Sequence, residues 1–219
     1  MCLIMNNLFV LIKHEFILQH RINNIIKYIV IFFLFYIIST VLINSERDIS
    51  KFGLIFSVIC LLISLISFST VIFKSDVEDG SLELLLSIVS CEKIIFAKFI
   101  AIFSCTTVGL LFVLPIIYIF FDQILFDIAL FFISVWMIFI LSSSLVVLSG
   151  SMQCYFKKNT NFVGTFIMPL LIPNIIMTGL ILQDHNLQLI FIIIGINLIF
   201  LPVSFCLSAY LIKNIYNIT

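Results

Sequence analysis

Residues 99–121 read FIAIFSCTTVGLLFVLPIIYIFF, with no Asp, Glu, Lys or Arg among them. A bilayer core about 30 Å thick takes roughly 20 apolar residues in a helix, so this run is long enough to cross. It is apolar all round rather than along one stripe, which separates a span from a half-buried surface helix. Five further stretches, at 25–44, 52–73, 126–150, 161–182 and 189–212, read the same way. Lys27 and Asp127 lie at the ends of theirs, and no span carries a charge near its midpoint.

Composition agrees. The chain has 219 residues, of which 63% are hydrophobic and 10% charged, and its mean hydropathy is +1.33. A soluble domain carries about a quarter charged residues. Eleven basic and eleven acidic side chains could not cover a core of this size. A soluble enzyme, a disordered chain and a nucleic-acid binder are excluded. A β-barrel is excluded too, because its strands alternate polar and apolar over about ten residues. The expectation is an all-α polytopic membrane protein, one transmembrane domain over 1–219. No small-residue cleavage site trails the first apolar run, so no removable signal peptide is expected.

The placement of the basic residues sets the orientation. Lys13, Arg21, Lys27, Lys74, Lys93, Lys98, Lys157, Lys158 and Lys213 fall on one side, against only Arg47 and Lys51 on the other. Both termini are predicted to be cytoplasmic. The outer loops, Asn44–Lys51, Asp122–Asp127 and Gln183–Gln188, are short. Two longer cytoplasmic pieces remain, about 5–24 and 74–98. The first is expected to be a helix on the inner membrane surface, or an extension of the first span.

The second piece is the informative one. Eight of the chain's 22 charges fall in 74–98, five of them acids: Asp76, Glu78, Asp79, Glu83 and Glu92. Gly80 allows a sharp turn. Asp79 or Ser81 can cap a following helix, and Glu83 suits its first turn. The helix would have an apolar body of Leu82, Leu84–Leu86, Ile88 and Val89. An exposed apolar helix of this kind suits a protein groove or the membrane surface. A solvated loop whose acids merely keep it out of the bilayer is the alternative.

Phe73-x-x-Asp76-x-x-Asp79-Gly80, followed by Ser81-Leu82-Glu83-x-Leu85, closely resembles the cytoplasmic motif of the haem exporter protein B (CcmB) family. That family supplies the permease subunit of the cytochrome c maturation ABC transporter. Length, six spans and a motif after span two all agree. Met168-Pro169-Leu-Leu-Ile-Pro173 is similar to the family's Leu-Pro-Leu-x-Ile-Pro segment, departing where Met168 replaces Leu. The likeness covers essentially the whole chain.

The resemblance implies an ABC-2-like exporter permease in the inner membrane of a bacterium, or the mitochondrial equivalent. Its partners would be a separate ATP-binding cassette subunit and other haem-handling maturation proteins, with homodimerisation open. The segment between spans two and three would be a coupling helix in a groove of the ATPase. Phe73, Asp76, Asp79 and Gly80 carry over as the docking site, and Glu83 joins them because it belongs to the same helix start. The output would be haem export or the release of a haem chaperone. An exporter of another cargo and a non-transporting scaffold are the competing readings.

The chain's own chemistry is sparse. None of its seven glycines precedes a Lys, so the Gly-Lys-Ser/Thr ending of a P-loop is missing and ATP hydrolysis is expected in another chain. Cys2, Cys60, Cys91, Cys105, Cys154 and Cys206 include no CxxC pair, so no metal site is expected and packing is their ordinary role. His14 and His20 are about 240° apart around a helix. His185 lies in the last outer loop, and Trp136 is the lone Trp. No bound cofactor is expected: haem is a candidate cargo, and a haem-ligand role for one of these histidines is the alternative.

Pro169 and Pro173 are four apart in one span, where each removes a backbone donor. They mark a candidate flexible break, because broken helices line many transport sites, or a static kink. Ser142, Ser143, Ser144, Ser149 and Gly150 let helices approach closely. Asn174 and Asn197 suit the same role. Without an ionisable residue near a midplane, coupling to protons or sodium is disfavoured.

Overall fold

The computed structural model describes residues 2–21, 24–43, 50–67, 72–121, 125–156, 160–184 and 187–216. Among these the regular structure is all helical. Nine helices follow in order: α1 (Cys2–Arg21), α2 (Ile25–Ile43), α3 (Ser50–Ser67), α4 (Lys74–Glu78), α5 (Ser81–Ile88), α6 (Cys91–Phe121), α7 (Leu125–Phe156), α8 (Thr160–Asp184) and α9 (Gln188–Ile215).

α7 is the axis of the bundle. α8 and α9 pack along it, α6 and α3 also touch it, and every residue from Leu141 to Ser151 is buried. A helix can be buried all round only if its neighbours come close on every side. The small residues Ser142, Ser143, Ser144, Ser149, Gly150 and Ser151 allow that. Buried hydroxyls need acceptors, and these find them in their own helix. Ser142 and Ser143 donate to the Phe139 carbonyl at 3.2 and 2.5 Å, and Ser151 donates to that of Val147 at 3.0 Å.

α1 and α2 pack on α6. Leu11, Glu15 and Gln19, then Ile25, Ile29, Phe33 and Ile37, are buried at four-residue spacing, the repeat of one helix face. Gly109 permits the close approach of α2, since a Cβ there would lie 3.2 Å from Ile29. Leu8–Arg21 and Ile25–Ile38 meet at 42°. The helix expected to lie on the membrane surface therefore buries one face against protein.

Three described helices are long and apolar enough to cross a membrane: Cys91–Ile119, Ala129–Phe156 and Gln188–Ile215. There are four if the bent α1–α2 pair is one span, and Phe56–Ser67 and Pro169–Leu182 are shorter apolar helices. Outward-facing Phe35, Ile119, Phe191 and Leu198 are each at least 70% exposed. So many bare apolar side chains suit lipid rather than water.

Three helix bounds differ from the expected span ends. α6 begins at Cys91, eight residues before the expected span, so residues 91–98 are its first two turns rather than loop. α7 runs on to Phe156, because Ser151 and Gln153 are buried against neighbours instead of entering water. Ile72 and Phe73, expected at the end of span two, form a turn ahead of α4. α8 runs through Pro169 and Pro173 as one helix, with both rings on its exposed side. Arg47, Lys157, Lys158 and His185, and parts of the three outer loops, lie outside the described residues.

Candidate functional site

The segment from Ile72 to Lys98 leaves the bundle and returns to it. It first runs through the short α4 and reverses at Gly80, whose φ is +69°. An L side chain in this left-handed region costs roughly 1–2 kcal/mol. Gly80 is the N-cap of α5 and makes no side-chain cap bond. The capping expected of Asp79 or Ser81 is therefore replaced by the turn itself, and the Ser81 hydroxyl donates back to the Asp76 carbonyl at 3.3 Å.

α5 is two-faced. Leu82 is fully buried, with Leu85 and Leu86 half-buried beside it. On the other side Leu84 is 68% and Ile88 80% exposed, a pair at helical spacing next to exposed Glu83. Val89 ends the helix in an extended conformation. Burial, and to a lesser degree the Glu83 carboxylate, push the Tyr216 phenol up.

The five expected docking residues do not form one surface. Asp79 and Glu83 are exposed and Gly80 makes the turn, but Phe73 and Asp76 face inward. Their partner is Lys98, two turns into α6 and fully buried. Its ammonium donates to Asp76 Oδ2 at 2.5 Å, to Glu15 Oε2 of α1 at 3.0 Å and to the Ile72 carbonyl at 3.5 Å. The Phe73 ring centroid lies 5.1 Å from Lys98 Nζ, within cation–π range. One cation thus holds together α1, the turn before α4, and α6.

Glu15 and Lys98 are functional candidates that the motif does not contain. A lone charge inside a protein is costly, and only pairing with full hydrogen bonding offsets that cost. Lys98 meets this condition through three oxygen acceptors and a ring. Each lies on a buried helix face, although nothing in the sequence pairs the two. Glu15 stands on the stripe Leu11, Glu15, Gln19, and Lys98 stands on the stripe Ile94, Lys98, Ala101, Ile102, Cys105.

A second polar link crosses the bundle. Asn174 of α8 donates to Asn197 of α9 at 3.1 Å, and Asn197 donates to the Met137 carbonyl of α7 at 2.9 Å. Both side chains are buried. His14 and His20 are exposed on α1, and Trp136 stacks at a tilt on Phe103. Among the described residues no group of three or more His, Cys, Asp or Glu could hold a metal ion.

An all-helical bundle with long apolar helices and lipid-suited faces defines a multi-pass membrane protein. The CcmB protein family matches residues 6–209, nearly the whole chain, and the protein belongs to it. Its members are membrane transport permeases of cytochrome c biogenesis, so the chain is a permease subunit. It is similar to an uncharacterized protein of Rickettsia prowazekii (strain Madrid E), 93% identical over 98% of this chain and all of that one. It is likewise similar to one of Rickettsia conorii (strain ATCC VR-613 / Malish 7), 82% identical with the same coverage.

Proposed function

We propose that this chain is the ATP-coupled membrane subunit of a haem exporter for cytochrome c maturation. It would reside in the inner membrane with six spans and both termini cytoplasmic. A separate ATP-binding cassette subunit would receive α5 in a groove and supply the hydrolysis. The observation that carries this reading is the buried Glu15–Lys98–Asp76 cluster. A helix that docks a motor must be fastened to what the motor moves, and Lys98 fastens the docking segment to α1 and α6.

The division of the motif residues supports two roles. Glu83, Asp79, Leu84 and Ile88 make the contact face, mixing charge with apolar anchors as groove-bound helices do. Phe73 and Asp76 transmit, and Gly80 sets the angle between the two parts. Pro169 and Pro173 remove two hydrogen bonds from α8 and make it the easiest helix in the bundle to bend. Haem export and release of a haem chaperone are both compatible outputs, since the coupling is the same for each.

The test separates docking from transmission. Asp79→Ala with Glu83→Ala is expected to weaken co-purification of the ATPase. Lys98→Met is expected to leave docking in place while c-type cytochromes no longer form. If neither pair of measurements moves, the coupling assignment is wrong. If an ATPase-dead partner leaves maturation normal, the chain is a scaffold.

A further inference from the structure

Between α6 and α9, at the end of the bundle that carries the cytoplasmic motif, lies a groove of about 620 Å³. On α9 it is lined by two small side chains, Cys206 and Ala209, about one turn apart. Phe96 and Phe205 form a wall, their rings 6.2 Å apart. Leu8 of α1 and Tyr210 complete the apolar lining. The volume lies within the roughly 300–1,000 Å³ of small-molecule sites. The hollow exists because a four-residue stretch of α9 pairs small residues with large ones on either side.

The charges gather at one end. Lys213 near the end of α9 binds Glu92 at the start of α6, 2.6 Å apart. Lys93 lines the same end half-buried, and no ion-pair partner for it stands among the described residues. Two cations therefore face one carboxylate, leaving a net positive mouth on an apolar trough. From Lys213 to Phe205 is eight residues, about 12 Å along the helix. That shape has one end for an anion and a dozen ångströms for hydrocarbon.

We propose that this groove is a binding site for an anionic phospholipid. The phosphate would lie at Lys93 and Lys213, and an acyl chain would run over Ala209 and Cys206 against Phe96 and Phe205. Charge complementarity and the bilayer around the chain identify the occupant. Basic pockets between membrane helices on the cytoplasmic side take such head groups. A zwitterionic lipid would fill the apolar trough and gain less at the mouth, because its own cation opposes Lys93. Occupancy would brace the first turns of α6, and so Lys98 only five residues on.

Native mass spectrometry of the full-length chain, offered phosphatidylglycerol or phosphatidylcholine in mixed micelles, tests this. Phosphatidylglycerol adducts should exceed phosphatidylcholine adducts. Lys93→Gln should cut that preference about fivefold, the worth of one basic residue near an anionic head group. Glu92→Gln, which removes the competing carboxylate, should shift it the other way. Ala209→Leu should fill the groove and lower both lipids together. Equal binding of the two lipids by the unaltered chain overturns the proposal. So does a preference that neither Lys93→Gln nor Glu92→Gln changes. Dissociation of a dimer by Ala209→Leu with adducts unchanged would assign the groove to a second copy of the chain instead.

Discussion

Lys98 is the residue on which most depends. Its three oxygen partners come from α1, from Ile72 and from Asp76, so removing it takes the shared cation away from two buried carboxylates. Breaking a buried ion pair from one side costs about 3–5 kcal/mol, whereas exchanging the whole set for neutral groups is often close to harmless. Lys98→Met should therefore lower unfolding stability by about 3–5 kcal/mol in a denaturation series in detergent. The triple variant Glu15→Gln, Asp76→Asn, Lys98→Met should recover most of that loss. Gly80 makes a second residue-scale case. Nothing lies within 4 Å of a Cβ built there, so Gly80→Ala meets no clash and carries only the left-handed backbone cost of about 1 kcal/mol. Gly80→Asn should be milder, since Asn tolerates that region better. The turn at Gly80 was legible in the sequence because glycine there has a single physical use. The triad was not, because pairing Glu15 with Lys98 spans 83 residues and no local pattern states which acid a buried lysine meets.

At the scale of elements, the apolar runs announced α2, α7, α8 and α9 closely, since hydrophobic length is read directly. Their ends were less legible wherever protein rather than lipid does the burying. α6 starts at Cys91 and α7 continues to Phe156 because Lys98, Ser151 and Gln153 are buried by neighbouring helices. A bilayer-length window counts such residues as outside. α1 is a similar case, since its apolar and polar residues separate weakly, yet Glu15 and Gln19 share the buried face with Leu11. The Asn174–Asn197–Met137 link ties α8, α9 and α7. Intramembrane hydrogen bonds of this kind contribute about 0.6 kcal/mol on average and up to about 1.7. Asn197→Leu breaks both bonds and leaves Asn174 buried without its acceptor. It should cost about 1 kcal/mol or slightly more, measured by the same unfolding series.

Across the chain, the placement of charge predicts which way it sits in the membrane. The formal net charge is zero, yet the basic residues divide nine to two between the predicted sides. Single-cysteine labelling in intact cells, on a background lacking the native cysteines, checks the topology. Thr219→Cys and Ser87→Cys should react only after the inner face is opened, whereas Ser45→Cys in the first outer loop should be labelled from outside. Long apolar helices determine that a chain enters the membrane; only the few charges determine which way and against what. The proposal that rests most on this placement is the docking of an ATPase on α5. Its most direct measurement is recovery of the ATPase with the tagged, membrane-inserted chain when Asp79→Lys and Glu83→Lys reverse the exposed charge. Recovered ATPase should drop at least tenfold at equal permease yield. Recovery equal to that of the unaltered chain would contradict it.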